Sequence, residues 1–595
     1  MAEGGERLDA LRATLREAGV DGFVLARTDM FGSEYLPAAE ERVAWLTGFT
    51  GSAARVVVLP ETAALFTDGR YTLQVQDEVD TASFETPHLI HEPPATWLRS
   101  HAPSGLRLGF DPFLHLRAEL DRLEKALAVH GGELVPLTPN PVDALWRDRP
   151  PPPAAPLVAH PLAHAGESSA DKRRRMLEAV RGAGGDGLFV SAADEVAWLL
   201  NIRGGDVPFN PLCLALALVL PNGRAILLTD SRKRPTGFEF EDGRIVLQPL
   251  EKRRALYAEL AREGLRLLVD PAVTHAGLID ELTTAGVCVV EGTDPVTRAK
   301  AIKNNAEVAG ARRAQVVDGG AVSRFLARLD RGACRDELDA ATALEAERAK
   351  AGDYLGPSFE TISGAGPNGA IVHYRVSEAT NRRLEPGTLY LVDSGGQYPD
   401  ATTDITRTVA IGEPAAEMRR RLTLVLKGHI ALAEAVFPEG TAGSQLDAFA
   451  RRHLWAAGLD YDHGTGHGVG SRLCVHEGPQ RIAKRGGDVK LEAGMILSNE
   501  PGNYPPGAYG IRIENLMLVV ERGMPAGGDL ALLGFEVLTM APIDRRLVEP
   551  ELMTAEELAW LDAYHARVRA RLAPELDEAD RAWLEAATAP LGRAA

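Results

Sequence analysis

The stretch GTLYLVDSGGQYPDATTDITRTVAIG, residues 387–412, contains two apolar runs around a glycine-rich segment and predicts two strands joined by a loop. Asp393 ends the first run and Asp404 begins the second. An antiparallel pairing would bring these two carboxylates face to face. Buried carboxylates at that distance repel each other unless a proton or a cation lies between them. Taken alone, the stretch fits two ordinary turn aspartates better, so a metal site needs support from elsewhere in the chain.

A second stretch, EAGMILSNEPGNYPPGAYGIRIENLMLVVE at residues 492–521, also places acidic residues next to or inside apolar runs. Glu500 follows the apolar run MILS, and Glu514 interrupts GIRIENLMLVV, which we expect to be one strand buried on both sides of that glutamate. A charge in that place is costly unless it is paired or bound to a metal. Arg512 shares a strand face with Glu514, so it is either the ion-pair partner of Glu514 or an outer residue of a metal site.

Histidines gather in the same part of the chain, which has 15 in all. In YDHGTGHGVG, residues 461–470, His463 and His467 are four residues apart, but the glycines between them disfavour a helix. We therefore expect a turn-and-strand segment in which the two rings have different roles. Two aspartates, two glutamates and at least one histidine suit Mn²⁺, Co²⁺ or Zn²⁺, and four carboxylates suit two ions better than one.

The composition argues against several classes of protein. The chain has 595 residues, too many for one core, so several domains are expected. Its net charge of -18 argues against a nucleic-acid partner. The four cysteines form no CxxC pair, which argues against a disulfide framework or a zinc knuckle. The sequence shows neither a signal-peptide pattern nor a membrane-spanning apolar run, so we expect a cytoplasmic protein without a membrane partner.

Two segments of the N-terminal half resemble each other. The first contains LRATLREAGVDGFVLARTD and RVAWLTGFTG, and the second contains MLEAVRGAGGDGLFVSAAD and EVAWLLNIRG. Each predicts an amphipathic helix, a buried strand and another helix start. We therefore expect two homologous α/β domains in tandem, residues 1–150 and 151–305. The stretch WRDRPPPPAAPLVAHP, residues 146–161, predicts a semi-rigid linker, because four consecutive prolines continue neither a helix nor a central strand.

A third domain is expected over residues 306–595. It would begin with a helical stretch at 306–352 and end in a helical extension from about 541, since TAEELAWLDAYHARVRARL has helical character. Thr554 and Glu557 have the spacing of a capping box at the start of that final helical stretch. The acidic residues and histidines described above all fall in this third domain.

The order Asp, Asp, His, Glu, Glu in the third domain resembles that of the pita-bread metallopeptidases. The strings VDSGGQYPDATTDITRT, HGTGHGVGSRLCVHEGP and GIRIEN narrow the resemblance to the long, three-domain Xaa-Pro aminopeptidase family. FTGSA, LFTDGRYTLQ and AWLLNIRGGDVPFNP are similar to its N-terminal domains, and LLGFEVLTMAPIDRRLVEPELMTAEELAWLDAYH to its C-terminal extension. The resemblance implies an α/β (α+β) fold with two tandem creatinase-like domains followed by a catalytic pita-bread domain.

The resemblance also implies a dinuclear metal site and its ligands. Asp404 and Glu514 would bridge two divalent ions, usually manganese, with zinc or cobalt as alternatives. Asp393 would complete the shell of one ion, and His467 with Glu500 the shell of the other. Glu500 is in addition our candidate for the general base.

Further positions match substrate-binding residues of the family. His373, His463 and His476 match histidines that bind the scissile peptide and assist proton transfer. Arg70 matches an arginine of the first domain, which would act on its own subunit's site or on that of a partner. Homodimers are common in this family, so a homodimer is expected.

The implied reaction is hydrolysis of the N-terminal Xaa-Pro bond of peptides with proline at the second position. A bridging hydroxide would attack the carbonyl carbon of Xaa. Two alternatives are a prolidase that takes only Xaa-Pro dipeptides and a non-catalytic peptide- or protein-binding relative. The duplicated N-terminal domains and the tail disfavour the first, and the complete ligand set disfavours the second. The chain departs from the family pattern at Asn503, Pro505 and Pro506, in a loop expected to border the metal site.

Overall fold

A computed structural model describes residues 2–591. The chain divides into two compact units, one formed by Met1–Leu162 with Glu167–Val296 and the other by Ala163–Gly166 with Thr297–Ala595. The predicted α/β (α+β) character is confirmed, because both units contain helices together with sheets. Within residues 2–591, no helix combines the length and the apolar character needed to span a membrane.

The N-terminal part of the first unit contains a five-stranded sheet with the order β3-β2-β1-β4-β5. Its strands are β1 (Gly22–Ala26), β2 (Arg55–Val58), β3 (Ala63–Phe66), β4 (Arg107–Phe110) and β5 (Glu133–Pro136). Its helices are α1 (Ala2–Glu17), α2 (Arg42–Thr47), α3 (Gln74–Glu78), α4 (Pro94–His101), α5 (Arg117–Ala128) and α6 (Pro141–Leu145). The side chains of Leu8, Leu11 and Leu15 are buried along one side of α1, as expected for an amphipathic helix.

The second part of this unit contains a similar sheet with one more edge strand. The order of its six strands is β11-β10-β9-β7-β12-β13. Its strands are β6 (Val158–Ala159), β7 (Gly187–Val190), β8 (Ile202–Arg203), β9 (Leu216–Val219), β10 (Ala225–Thr229), β11 (Ile245–Pro249), β12 (Arg266–Val269) and β13 (Cys288–Glu291). Its helices are α8 (Ser169–Gly182), α9 (Ala193–Leu199), α10 (Arg253–Arg262) and α11 (Ala276–Thr284), whereas α7 (Leu162–Ala165) and α12 (Pro295–Ala301) have residues in both units. The predicted tandem of similar α/β domains is therefore confirmed.

The predicted linker carries neither helix nor strand between the end of α6 and the start of β6. The extended segment is then anchored by pairing of β6 with β8. The domain limits that we drew at residues 150 and 305 stay predictions.

The second unit begins and ends with helices, as predicted. Its helices are α13 (Asn305–Asp330), α14 (Glu337–Ala349), α15 (Ala416–Ala433), α16 (Asp447–Ala456), α17 (Ala555–Leu572) and α18 (Glu578–Ala587). The expected helical stretch at 306–352 is thus two helices, and Gly332 adopts a left-handed backbone between them. The capping box of Thr554 and Glu557 is present at the start of α17.

Two sheets of the second unit carry the acidic residues. One has three strands in the order β14-β15-β18, and the other has six in the order β19-β26-β25-β22-β20-β21. The strands of this unit are β14 (Ile362–Ala365), β15 (Thr388–Ser394), β16 (Gln397–Tyr398), β17 (Ala401–Thr402), β18 (Ile405–Ile411), β19 (Phe437–Pro438), β20 (Gly466–Gly468), β21 (Glu477–Ile482), β22 (Ile496–Asn499), β23 (Gly502–Asn503), β24 (Ile511–Arg512), β25 (Asn515–Gly523) and β26 (Leu532–Val537). The core behind them includes Leu426, Met495, Leu497, Met517 and Phe535.

The strand pairing predicted from residues 387–412 is confirmed. β15 and β18 are antiparallel, and Asp393 lies opposite Thr406 in the register. The connecting loop contains a small hairpin of its own, β16 with β17. This hairpin brings the chain back so that Asp404 directly precedes β18.

The single strand expected around Glu514 is wrong. Glu514 lies between β24 and β25, which belong to different sheets. The backbone N–H of Glu514 donates to the carbonyl of Thr406 at 3.1 Å, and the N–H of Arg512 donates to Thr408 Oγ1 at 3.0 Å. These bonds tie the segment to β18, and the strand changes sheets at the glutamate because of them.

Candidate metal centre

Asp393 carries a buried oxygen that has no hydrogen-bond partner among residues 2–591. Its Oδ2 accepts a hydrogen bond from Arg512 Nη2 at 2.7 Å. Its Oδ1 is buried and accepts no hydrogen bond from any of the described residues. Buried polar atoms are nearly always paired, so this oxygen points to a group that the polypeptide itself does not supply.

The ring of His467 presents one nitrogen to the carboxylates. Its Nδ1 lies 2.9 Å from the carbonyl oxygen of Gly468. A carbonyl only accepts, so Nδ1 carries the proton and Nε2 is the atom left for a ligand bond. Nε2 lies 3.4 Å from Asp404 Oδ2 and 3.6 Å from Glu500 Oε1. The predicted strand at HGTGH is confirmed as β20, and it aims this nitrogen at the acidic cluster.

Asp404, His467 and Glu514 form a compact group of donors. One donor atom from each lies within 4.8 Å of the other two, a spacing compatible with a shared metal ion. The carboxylate of Glu514 is held by Thr406, whose Oγ1 donates to Oε2 at 2.9 Å. The side chain of Glu514 is almost entirely buried, so its charge needs a nearby cation.

Glu500 is oriented by the strand that precedes it. Ser498 in β22 donates from Oγ to Glu500 Oε1 at 3.2 Å, and the backbone N–H of Glu500 donates to the carbonyl of Thr465 at 2.8 Å. Gly466 makes this close packing of β20 on β22 feasible, because a Cβ at residue 466 would lie 2.0 Å from the carbonyl oxygen of Ser498. A glycine is therefore required between the two histidines of HGTGH.

The ionisation of these groups shows how much they need a cation. Burial raises the pKa of Asp393, Glu500 and Glu514, and the charges of the neighbouring carboxylates raise the pKa of each further. Burial lowers the pKa of His467, but its contact with Asp404 and the charge of Glu500 outweigh burial and raise that pKa to about 9. Without a cation, protons would have to neutralise the cluster.

Arg512 connects the acidic cluster to the histidines. Its guanidinium pairs with Asp393 at 2.7 Å rather than with Glu514, the first of the two alternatives drawn from the sequence. Its Nε instead donates to Thr406 Oγ1 at 3.0 Å, which reaches Glu514 indirectly. Its Nη1 donates to the hydroxyl of Tyr504 at 2.7 Å, and that hydroxyl lies 2.9 Å from His463 Nε2. These contacts fit the second alternative, in which Arg512 is an outer residue of a metal site.

The three further histidines have different surroundings in the structure. Nδ1 of His463 contacts the Gly464 carbonyl at 2.8 Å and lies 3.9 Å from Glu500 Oε2. The His476 ring packs edge-on against the His467 ring, with centroids 4.4 Å apart. His373 follows Val372, whose carbonyl accepts from Arg512 Nη2 at 3.4 Å. The structure therefore places His463 beside Glu500 and His476 beside His467, whereas for His373 it shows only that the preceding residue contacts Arg512.

Four family models match consecutive segments of the chain. The description "Creatinase/Prolidase N-terminal domain" matches residues 7–145 and 148–307. "Metallopeptidase family M24" matches residues 309–521, and the C-terminal region of that peptidase family matches 531–591.

Relatives match over nearly the whole length. A probable Xaa-Pro aminopeptidase P of Fusarium vanettenii is 39% identical over 98% of this chain and 98% of its own. Aminopeptidase P2 of Arabidopsis thaliana is 38% identical over 99% of this chain and 89% of its own. The chain belongs to the Xaa-Pro aminopeptidase family.

A solved structure of this Xaa-Pro aminopeptidase family has the same fold. The X-prolyl aminopeptidase of Caenorhabditis elegans, described as a cytosolic enzyme with a di-nuclear active site, superposes with a TM-score of 0.92. It is 33% identical, and the match covers 99% of this chain and 100% of that one. The predicted architecture of two creatinase-like domains followed by a pita-bread domain is confirmed.

The loop that departs from the family pattern lies at the site. Asn503 pairs in β23 with Ile511, and its Oδ1 accepts from Arg421 Nη1 at 2.9 Å. Tyr504, the next residue, reaches His463. Pro506 is exposed, while Pro505 is half-buried. The effect of these residues on substrate preference stays a prediction.

Arg70 lies in the N-terminal compact unit. Its Nη2 is 2.7 Å from Asp68 Oδ2, so its guanidinium is fixed by an acidic neighbour two residues away. The predicted role of Arg70 in substrate binding stays a prediction.

Sequence reasoning missed three residues that support the site: Thr406, Arg407 and Tyr504. Arg407 is fully buried, and its Nη1 donates to the carbonyls of Thr406 at 2.8 Å and Glu514 at 2.7 Å. An arginine inside the apolar run DITRTVAI was a signal that could have been read. Tyr504 carries no comparable signal, because its partner His463 is 41 residues away.

Proposed function

We propose that the protein is a metal-dependent aminopeptidase that hydrolyses the N-terminal Xaa-Pro bond of peptides. The observation that carries the proposal is the convergence of buried carboxylates on His467 Nε2, together with the unsatisfied Oδ1 of Asp393. This donor set fits two divalent ions, for which manganese is the proposed metal. The ligands would be Asp393, Asp404, His467, Glu500 and Glu514, of which Asp404 and Glu514 would bridge.

Two bound ions would supply an activated water near neutral pH and would polarise the substrate carbonyl. Glu500 is the proposed general base, because its Oε1 is held by Ser498 at 3.2 Å while its Oε2 lies 3.9 Å from His463 Nδ1. It would take a proton at its carboxylate and pass it to the imino nitrogen of proline.

The histidines are the proposed contacts of the substrate. His463 has a partner at each ring nitrogen, so a substrate carbonyl would have to replace Tyr504 or Gly464 there. His476 and His373 would bind the peptide on the other sides of the cluster, and Arg70 is a further proposed contact. Hydrogen bonds to a developing negative charge would favour the transition state.

The experiment that tests this function compares peptides of different length. We expect the manganese-loaded protein to cleave Xaa-Pro-Yaa-Zaa peptides and to leave Xaa-Ala-Yaa-Zaa peptides largely intact, as followed by mass spectrometry. Cleavage of Xaa-Pro dipeptides alone would favour the prolidase alternative. Absence of cleavage with two equivalents of bound metal would refute the aminopeptidase.

A homodimer in the cytoplasm is the proposed state of the protein. Helix α16 exposes Phe449 by 40% and Trp455 by 46%, and large apolar side chains of this kind favour association. Light scattering after size-exclusion chromatography tests the assembly. We expect a dimer for the parent protein and a monomer for Trp455→Glu, and a parent monomer at micromolar concentration would contradict the dimer.

A further inference from the structure

A buried ionic cluster lies beside the candidate metal centre and takes no part in the chemistry described above. Glu477, the first residue of β21, contacts two lysines that follow one another closely in the chain. Its Oε1 accepts a hydrogen bond from Lys303 Nζ, and its Oε2 lies 3.0 Å from Lys300 Nζ. The three side chains are at most 2% exposed. We call these three residues the lysine–glutamate cluster.

Stability alone is a weak explanation for such a cluster. Bringing three charges out of water is costly, and well-packed apolar residues often replace a buried ion pair with no loss of stability. What charged groups add is a fixed geometry, since each hydrogen bond requires a defined position of both partners. The cluster therefore fixes the relative positions of the chain segments to which its three residues belong.

The cluster joins segments that lead directly into the candidate site. The N–H of Lys303 donates to the carbonyl of Gly494 at 2.9 Å, and Ile302 pairs with Met495, at the start of the segment that runs through β22 to Glu500. Glu477 pairs in the register with Gly468, which follows the ligand His467. The backbone of Ile302 and Lys303 thus holds the segment that leads to Glu500, and the lysine side chains hold Glu477 next to the strand that carries His467.

His476 immediately precedes Glu477. His476 lies in the bend that leads into β21, and its ring meets the ring of His467 edge-on, with centroids 4.4 Å apart. Because a single peptide bond joins the two residues, the anchoring of Glu477 fixes the backbone from which the His476 side chain projects. The direction of His476 is therefore coupled to the anchoring of Glu477.

We propose that the lysine–glutamate cluster positions His476 for the aminopeptidase reaction, so that Lys300, Lys303 and Glu477 are positioning residues. This proposal rests on the proposed function. Loss of the anchor would let the start of β21 shift, and a displacement of about 1 Å in a reacting group can cost roughly a hundredfold in rate. The ligands would stay in place, because the segment that leads to Glu500 is held by backbone contacts of Ile302 and Lys303, which do not depend on the lysine side chains.

The test is a double-mutant cycle with steady-state kinetics on an Xaa-Pro peptide. Lys303→Met and Glu477→Gln remove one charge each at nearly constant volume, and Lys300→Met serves if either fails to fold. We expect each to lower kcat about tenfold or more with two equivalents of metal retained. In the His476→Gln background the same changes should have no further effect, because a positioning residue acts only through the group it positions.

Lys427→Met is the matched control. Lys427 in α15 also forms a largely buried ion pair with a glutamate, Glu557, but touches none of the candidate site residues. We expect a lower melting temperature and an unchanged kcat. Equal losses of kcat in both His476 backgrounds, or an unchanged kcat in Lys303→Met and Glu477→Gln, would overturn the positioning role. A parent protein inactive on every Xaa-Pro peptide would remove the proposed function and this role together.

Discussion

His463 and His467 differ at the scale of single atoms. Nε2 of His467 faces Asp404 and Glu500, whereas Nε2 of His463 faces the hydroxyl of Tyr504. We predict that His467→Ala loses both activity and bound metal, because a ligand atom is removed. His463→Ala should lose activity and keep its metal. Metal content by mass spectrometry, measured with kcat on the same samples, tests the distinction, and equal metal loss in both variants would refute it.

Tyr504 provides a second test at this scale. Its hydroxyl accepts from Arg512 and contacts His463, so Tyr504→Phe removes one link and keeps the aromatic ring. Hydrogen bonds to charged groups contribute about 1.5–3 kcal/mol, which corresponds to roughly a ten- to hundredfold loss of rate. We expect kcat to fall by that range with the metal retained.

The control for Tyr504→Phe is Tyr509→Phe. Tyr509 is a buried aromatic residue of the same loop and belongs to the apolar core. Its loss of a hydroxyl should leave kcat near that of the parent protein. A Tyr504→Phe variant with the parent's kcat would show that the link to His463 has no part in the reaction.

At the residue scale, the sequence identified the acidic groups but not their partners. A carboxylate after an apolar run is visible in the sequence, since its burial is costly. The pairing of Asp393 with Arg512 is not visible, because the two residues are 119 positions apart. The proximity of Arg512 and Glu514 in the chain instead suggested an ion pair that the structure replaces with a route through Thr406.

At the scale of strands, the approach of β20 to β22 depends on Gly466. A Cβ there would overlap the carbonyl of Ser498, a rigid backbone atom. We predict that Gly466→Ala pushes the strands apart, separates His467 from Glu500 and lowers both metal content and melting temperature. Gly352→Ala is the control, because nothing lies within 4 Å of a Cβ at that position. Retention of full metal content by Gly466→Ala would contradict the close packing.

At the scale of helices, the capping box of α17 allows a prediction on stability alone. Thr554 Oγ1 accepts from the Glu557 N–H at 3.3 Å, and Glu557 Oε2 accepts from the Thr554 N–H at 2.8 Å. Thr554→Ala should lower the free energy of unfolding of this unit by about 1 kcal/mol, the usual value of such a cap. Denaturant titration measures the loss, and Thr554→Ser should restore most of it. An altered kcat in Thr554→Ala would contradict a purely structural role.

Strands and helix ends were predicted correctly where the sequence pattern that determines them spans only a few residues. The strands β15 and β18, the turn-and-strand segment at HGTGH and the capping box follow from patterns within a few residues. The strand through Glu514 was predicted as continuous because its apolar pattern is continuous. Hydrogen bonds to β18 divide it between two sheets, and those bonds depend on residues about a hundred positions away.

For the whole molecule, removal of metal should weaken the fold as well as the activity. Asp393, Glu500 and Glu514 have raised pKa values because burial and mutual repulsion disfavour their charged forms. A chelated sample should therefore melt at a lower temperature and hydrolyse no Xaa-Pro peptide. A metal present at about a thousand times its dissociation constant stabilises a protein by about 4 kcal/mol, so manganese should restore both properties.

The His467→Ala variant is the control for chelation, since a chelator should change its melting temperature little. Calorimetric scans of both proteins, with and without added manganese, make the comparison. Activity that survives exhaustive chelation would exclude the dinuclear centre as the catalytic device.

The sequence by itself determined the tandem of similar α/β domains, the linker, the helical ends of the third domain and the order of the acidic residues and His467. These features depend on local periodicity, on proline and glycine, and on the cost of burying charge, all of which act over short stretches of chain. Only the tertiary structure decided which groups meet: Arg512 with Asp393, Tyr504 with His463, and Lys303 with Glu477 across 174 residues. Such pairings are selected by the packing of the whole domain, where each buried charge must find a partner among residues distant in sequence.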